Sequence, residues 1–374
     1  MFLKKVLRNE NNTLIYKSVT IYKLKDLAGH NQPIQRMALR ATADRQDIRR
    51  TGRTAMAIET HQLIDLDWAP EFLNTLLPTH PRWKKLQYDF IFRGQADASW
   101  PLLPSAYRGR SSSPISDDYG LQKSNDEQRR FEFRLVQEFW RAVDEQGLPC
   151  PEDSMKSRRR WFSVFTPEHF PKNVAELSVF GERPIAPWPP TEMWGLVGLA
   201  QHHGVPTRFL DWTRSSLVAA YFAAKQNLVA LYEGRATQHR LGVWVCVKAL
   251  LESDGLDSAP DVVLVTVPMS GNPNLKAQRG VFTFKIEKNA DPEGPVDARS
   301  FDEIVGTIEP IGLMKVWLEH WPHYLFHFTL PATESPKLME LLDSVGVNAS
   351  ALFPGYAGAA EAVRERKMTK KLKA

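Results

Sequence analysis

The stretch Leu199 to Ala224, LAQHHGVPTRFLDWTRSSLVAAYFAA, constrains this chain more than any other. Paired histidines run into a Gly-Val-Pro turn. A short extended piece with Thr207, Arg208, Asp211 and Thr213 follows, and a helix then begins. Thr213 is the expected N-cap, because a hydroxyl there accepts from the free N–H groups of the first turn. Beyond it Leu217, Tyr221 and Ala224 form one helical row and Val218 and Phe222 the next, an apolar face that anchors the helix. Polar groups gathered ahead of an anchored helix are held rigidly enough to address a ligand. The competing reading is a strand-to-helix corner whose polar residues satisfy their own backbone.

Around this stretch the chain alternates helix and strand signals. Residues 59–76 read as helical in part. Tyr88 to Arg93, YDFIFR, reads as a strand with Tyr88, Phe90 and Phe92 on one face and Asp89, Ile91 and Arg93 on the other. Arg93 then ends a strand beside Gly94, which tolerates close backbone approach. Its planar fork suits a phosphate or carboxylate, and an internal salt bridge is the alternative. Helices are expected over 125–146, 191–203, 214–228 and 335–345. Further strands are expected at Val243–Val247, Val262–Val267, around Val281–Ile286 and at YLFHFTLP. Residues 109–120 read as an exposed loop. Arg158, Arg159 and Arg160 before Trp161 form either a stacking platform for nucleic acid or a solvated face. His320, His323 and His327 stand at i, i+3 and i+7, a spacing that suits a metal on a helix. Pro322 and the strand-like run after it argue against that helix, so no metal is expected.

Charge is unevenly spread. Residues 1–54 hold 12 Lys/Arg against 4 Asp/Glu, and residues 364–374 hold 6 against 1. With a net +5 for the whole chain, the segment between carries −8. Such a body is not the footprint of a dedicated nucleic-acid binder, although the basic ends suit an acidic partner. No apolar run reaches the roughly 18 residues of a membrane span, and the apolar part of the first residues is too short for a secretory signal. Two cysteines, Cys150 and Cys246, make no disulfide framework. A cytoplasmic setting is the expectation. The domain reading is a basic N-terminal extension over 1–80, poorly ordered or loosely docked, then an α+β domain over 81–360 and a basic tail over 361–374.

Three blocks carry a resemblance. Phe92-Arg93-Gly94 within FIFRGQADASWPLLPSAYRG, then QHHGVPTRFLDWTRSSLVAAYFAA at 201–224 and AQRGVFTF at 277–284, together resemble the FRG-domain family in their order. The ending over 329–358 is similar to that family's last strand and helix. The same ordering resembles the ADP-ribosyltransferase superfamily. That resemblance implies a split, mostly antiparallel sheet flanked by helices, NAD as substrate, and either ADP-ribose transfer to a macromolecular acceptor or hydrolysis of the cofactor. It also suggests a microbial toxin or anti-phage defence role. Mapped onto this sequence, Arg93 with Gly94 holds the ribose or diphosphate, Gln201, Thr207, Arg208 and Thr213 contribute to the cofactor site, and Tyr221 stacks on nicotinamide. Gln278 falls where a catalytic Glu is expected. Cleaving the nicotinamide–ribose bond develops positive charge that a carboxylate stabilises, and an amide supplies none. Asp211, or Glu287, is the substitute source of charge, and His202 or His203 a candidate base. Two readings compete with the enzyme. One is a non-catalytic nucleotide or nucleic-acid binding module on the same fold. The other is a buried polar network of Arg93, Asp211 and Gln278 that merely holds the fold together.

Overall fold

Alternation along Phe90-Ile91-Phe92-Arg93 sends Phe90 and Phe92 into one apolar layer and Ile91 into another, so this strand has core on both faces. The computed structural model describes residues 7–8, 14–15, 61–81, 83, 90–108, 121–159, 188–235, 237–251, 262–286, 291–308 and 323–373. The chain divides into two units, Met1–Ala57 and Ile58–Ala374. Of the first, the described part is one antiparallel ladder, Leu7–Arg8 with Leu14–Ile15. The rest of the expected N-terminal extension up to residue 60, the loop at 109–120, Arg160, Trp161, Glu287 and His320 lie outside the described residues.

The second unit is built on seven strands: β1 (His61–Asp65), β2 (Phe90–Gln95), β3 (Leu210–Thr213), β4 (Arg240–Val247), β5 (Val262–Val265), β6 (Gly280–Lys285) and β7 (Leu325–Pro331). They form one open sheet in the order β1-β7-β4-β2-β3-β6-β5. Every neighbouring pair is antiparallel except β1 with β7. Among the described residues, the α-helices of four or more residues are α1 (Ala69–Leu76), α2 (Asn125–Glu145), α3 (Trp194–His202), α4 (Ser216–Tyr232), α5 (Pro273–Ala277), α6 (Phe301–Gly306), α7 (Ser335–Ser344), α8 (Ala349–Leu352) and α9 (Tyr356–Lys373). The class is α+β, with a mostly antiparallel sheet.

One layer buries Phe92, Val243, Val245, Phe326 and Phe328 against α1, α4 and α7. Trp83 sits in it, edge-on to Phe90, Phe92, Phe326 and Phe328 at centroid distances of 5.1, 6.4, 6.1 and 5.7 Å. These tilted contacts are the arrangement that the ring quadrupoles favour. On the opposite face, Ile91, Leu210, Trp212 and Trp244 form a second cluster. A third joins Phe209, Phe282 and Phe284 to α2 and α3.

The helix that follows β3 is capped by Ser215, not Thr213: the Ser215 hydroxyl accepts from the Val218 N–H. Thr213 is still the last residue of β3, and its hydroxyl accepts from the Ser215 N–H at 3.0 Å. The helix starts two residues later than the expected 214, because pairing with β6 keeps the chain extended to Thr213↔Gly280 and Ser215 takes the cap.

Both expected boundaries shift. β1 and α1 belong to the sheet-bearing unit, so the domain begins near Ile58 and not at residue 81. Within the stretch 59–76 that read as helical in part, Ala69–Leu76 is the helix, while His61–Asp65 is a strand whose alternating exposure follows its pairing with β7. Residues 361–373 are not a tail but most of α9. Ala362, Glu365 and Thr369 are buried there, and Glu365 accepts from the Tyr221 hydroxyl at 2.5 Å. Arg366 pairs with Asp343, and Lys373 with Glu340. A basic composition conceals this helix because its cations line the outer faces while one small row packs inward.

The tightest packing lies at Gly94. A Cβ built there would stand 1.9 Å from the Ala219 carbonyl oxygen and 2.8 Å from the Ala223 nitrogen, both backbone atoms of α4. The alanine face of α4 and the bare glycine together let helix backbone rest on strand backbone. Asn227 of the same helix donates to the Ala96 carbonyl at 2.8 Å, completing the contact just past the strand end. We expect Gly94→Ala to destabilise the protein by about 3 kcal/mol, the upper end of overpacking costs. Urea unfolding checks this, and a variant as stable as the wild type would show that α4 lifts off without cost.

Candidate functional site

Strands β2 and β4 pair at six positions, from Phe90↔Val247 to Gln95↔Gly242. By contrast β2 and β3 pair at one, Phe92↔Thr213. Beyond that point the two strands part, and main-chain groups along the gap need other partners. Arg93 supplies one: its Nη1 donates to the Asp211 main-chain oxygen at 2.7 Å and lies 3.7 Å from the Asp211 carboxylate. A cleft of about 1050 Å³ opens here, walled by β2, β3, α3, α4, α5 and Phe353. This volume stands at the upper end of the roughly 300–1,000 Å³ usual for small-molecule and cofactor sites.

Arg93, Gly94, Gln201, His202, Asp211, Thr213 and Gln278 all line this cleft, although 185 positions of chain separate the first from the last. Asp211 is half-exposed, and its Oδ2 accepts from Gln201 Nε2 at 2.7 Å. The Gln201 Oε1 in turn accepts from the hydroxyls of Thr207 and Ser105, at 2.9 and 3.1 Å. This chain of bonds orients the Asp211 carboxylate from behind. Among the described residues it is the one carboxylate lining the cleft.

His202 ends α3, and Gly204, at φ +84°, turns the chain through the left-handed region that glycine alone enters without strain. Burial lowers the His202 pKa below its ordinary 6.5, with His203 adding to the fall and Asp211 opposing it. Its imidazole is therefore neutral at pH 7. The neighbouring His203 packs on Phe139 of α2 and stands apart from the cleft. Burial also pulls Arg93 down to about 10, against the pull of Asp211 and with the help of Arg108. The guanidinium remains charged at neutral pH.

Three expected cofactor contacts lie elsewhere. Thr207 is buried behind Gln201 and touches the site only through it. Arg208 is 1% exposed and forms a two-pronged ion pair with Glu132 of α2, at 2.7 and 3.1 Å, while its Nη1 donates to the Trp188 carbonyl. A cation so enclosed ties α2 and the Trp188 segment to the residues leading into β3 and is out of reach of a ligand in the cleft. Tyr221 is fully buried, with its hydroxyl on Glu365, so it does not offer a face to nicotinamide. One residue along, the α4 surface turns by about 100°, and Phe222 lines the cleft instead, edge-on to Phe353 at 6.2 Å.

Gln278 is held on three sides. Its backbone N–H donates to Asn274, its carbonyl accepts from the Thr213 hydroxyl at 2.7 Å, and its Nε2 donates to the Leu352 carbonyl at 3.2 Å. Arg279 follows at φ +51°, a strained value for a side-chain-bearing residue, and its carbonyl accepts from Arg214 N–H. Gln278 is thus a cross-brace between β3 and α8, a role that needs an amide donor.

Phe353 and Arg108 are among the cleft residues that the sequence reading did not assign to the site. Phe353 belongs to a segment distant in the chain, with no local signal. Arg108 follows Tyr107 and precedes Gly109, the same aromatic-Arg-Gly order as Phe92-Arg93-Gly94, and that echo is the signal that would have found it. The histidine spacing at 320–327 does not form a helical metal site: His327 lies on β7, stacked on Trp244 at 3.9 Å, and burial pulls its imidazole to about 4. No group of three or more metal-ligating side chains occurs among the described residues, and no helix among them is long and apolar enough to cross a membrane. Arg158, one of the two described arginines of the proposed stacking platform, is engaged by Asp144 and Asp153.

We expect Gln278→Glu to lose about 1–3 kcal/mol at pH 7, because a carboxylate would face the Leu352 carbonyl without a proton to donate. The introduced carboxyl would have its folded pKa raised above the ordinary 4.3. Its stability is then restored below that value and lost as pH rises through the folded pKa. Unfolding free energies at pH 4 and pH 7 check this, and equal losses at both would dismiss the brace.

No curated protein and no solved structure matches the chain. Residues 178–230, which span α3, β3 and most of α4, match the family model of the FRG domain, the family that the Phe92-Arg93-Gly94 block resembles.

Proposed function

We propose that this protein binds NAD in the cleft between β2 and β3 and acts on its nicotinamide–ribose bond, transferring ADP-ribose to a macromolecular acceptor or hydrolysing the cofactor. One observation carries the reading: a parted sheet with a guanidinium, Arg93, and a single oriented carboxylate, Asp211, facing one dinucleotide-sized hollow. That arrangement supports an ADP-ribosyltransferase-like split of the sheet. Departure of nicotinamide leaves an oxocarbenium-like sugar, and a preorganised carboxylate lowers the cost of that charge. Asp211 is the group available, because Gln278 carries no charge. Held by Gln201 and half-exposed, it is free to face the sugar without first shedding its partner. His202, neutral at pH 7, accepts the proton of an attacking hydroxyl or water.

A second reading has its own observation. Gln278 spends its amide on the Leu352 carbonyl, and this favours a module that binds the nucleotide without turning it over. Nicotinamide release and NAD binding, measured on the same preparation, separate the two.

We expect Asp211→Asn, which keeps the shape and the bond to Gln201, to lower nicotinamide release about 10²–10³-fold with NAD affinity and melting temperature nearly unchanged. Release in the wild type should fall as pH drops through the lowered His202 pKa, below 6.5, since protonation removes the base. Binding without release would select the second reading, and the absence of both would reject the site.

A further inference from the structure

We propose that Arg108 is the phosphate-gripping residue of this cleft, with Arg93 serving chiefly to bridge the parted strands, so that a phosphate or diphosphate group seats between the two guanidiniums. The assignment rests on the nucleotide reading above for its biological ligand, although the subsite itself is defined by charge and geometry.

Arg108 is built to reach into the cleft. Its Nε and Nη2 both donate to the Leu103 carbonyl, at 3.0 and 2.8 Å, which clamps one edge of the fork. Among the described residues it makes no other polar contact, so Nη1 and the second N–H of Nη2 are uncommitted. The turn that carries it, Ser105–Tyr107, is itself pinned: Ala106 N–H donates to the Thr207 carbonyl at 3.1 Å, and the Ser105 hydroxyl bonds Gln201. A pre-positioned planar fork loses little freedom on meeting an anion.

Arg93 is differently placed. Its Nη1 is committed to the Asp211 carbonyl across the strand gap, and its buried Nε has no hydrogen-bond partner. Two guanidiniums therefore face one carboxylate, whose Oδ2 already accepts from Gln201, and the cleft holds a surplus positive charge. Burial lowers the pKa of both arginines, and each would be relieved by an incoming anion. A phosphate oxygen pair matches the open edge of a guanidinium bidentately. The aromatic pair Phe222 and Phe353 on another wall suits a base at the far end of the same ligand.

Calorimetric titration of the full chain with inorganic pyrophosphate, ADP and NAD tests this. We expect the wild type to bind pyrophosphate and ADP, and Arg108→Gln to weaken both roughly ten- to a hundredfold, as fits the loss of a charge-assisted contact, at an unaltered melting temperature. Should Arg108→Gln fail to fold, Arg108→Lys decides, since it keeps the charge and a donor for Leu103: several-fold weaker pyrophosphate binding supports the fork. A wild type that ignores pyrophosphate overturns the subsite. So does a folded Arg108→Gln, or an Arg108→Lys, that binds pyrophosphate as the wild type does. Pyrophosphate bound through Arg108 with no NAD binding would sink the NAD reading alone, and NAD binding indifferent to Arg108 would sink this assignment alone.

Discussion

The contact between the α4 backbone and the bare Cα of Gly94 sets the geometry of everything near the cleft. With no side chain between them, helix and strand approach closely enough for Asn227 to satisfy Ala96 and for Phe222 to reach the cleft wall. The same helix carries Tyr221, whose bond to Glu365 ties α9 to α4 and so brings the C-terminal segment, with Phe353, to the site. A strand with a glycine at this position and an arginine just before it serves two ends: the glycine admits the helix, and the arginine spans the place where the sheet opens.

That opening is an electrostatic problem as much as a topological one. Parted strands leave backbone carbonyls without ladder partners, and Arg93 answers one of them with a charged donor. Placing a cation there costs desolvation, visible in its lowered pKa, and Asp211 returns only part of that cost. Arg108 adds a second positive charge close enough to depress the first. Structural and ligand-binding roles therefore meet in one set of groups. The contrast with Arg208 is instructive, since that guanidinium has its carboxylate at 2.7 Å, is fully enclosed, and has nothing left to offer. Breaking such a buried pair is costly, about 3–5 kcal/mol in typical proteins, which explains an arginine in the family-matching segment without any call on a ligand.

Much of the fold could be read from pattern. The alternation at Phe90–Arg93, the apolar faces of α2 and α4, and the helix stop at His203-Gly204 depend on residues adjacent in the chain, and local periodicity reports them faithfully. Errors gathered where a long-range partner overrides the local signal. His61–Asp65 became a strand by pairing with β7, more than 260 residues on. The basic C-terminal stretch became a docked helix because Ala362 and Glu365 found a surface that its composition does not announce. Within α4, the sequence showed that Tyr221 and Phe222 occupy adjoining rows, yet which row meets the core and which meets the cleft depends on how the helix is rotated over the sheet.

By itself, the sequence determined the elements whose patterns are local, the glycine and arginine that an opened strand needs, and the set of polar groups from Gln201 to Thr213 that gathers before α4. Tertiary structure alone decided which of those groups face outward. Arg208 and Thr207 turn inward, Gln278 becomes a brace, and Arg108 enters the cleft, because each outcome depends on a partner, Glu132, Gln201, Leu352 or Leu103, that side-chain chemistry can satisfy but linear order does not name. Hydrogen-bond and charge satisfaction act through space, and only the folded arrangement of strands and helices sets those distances.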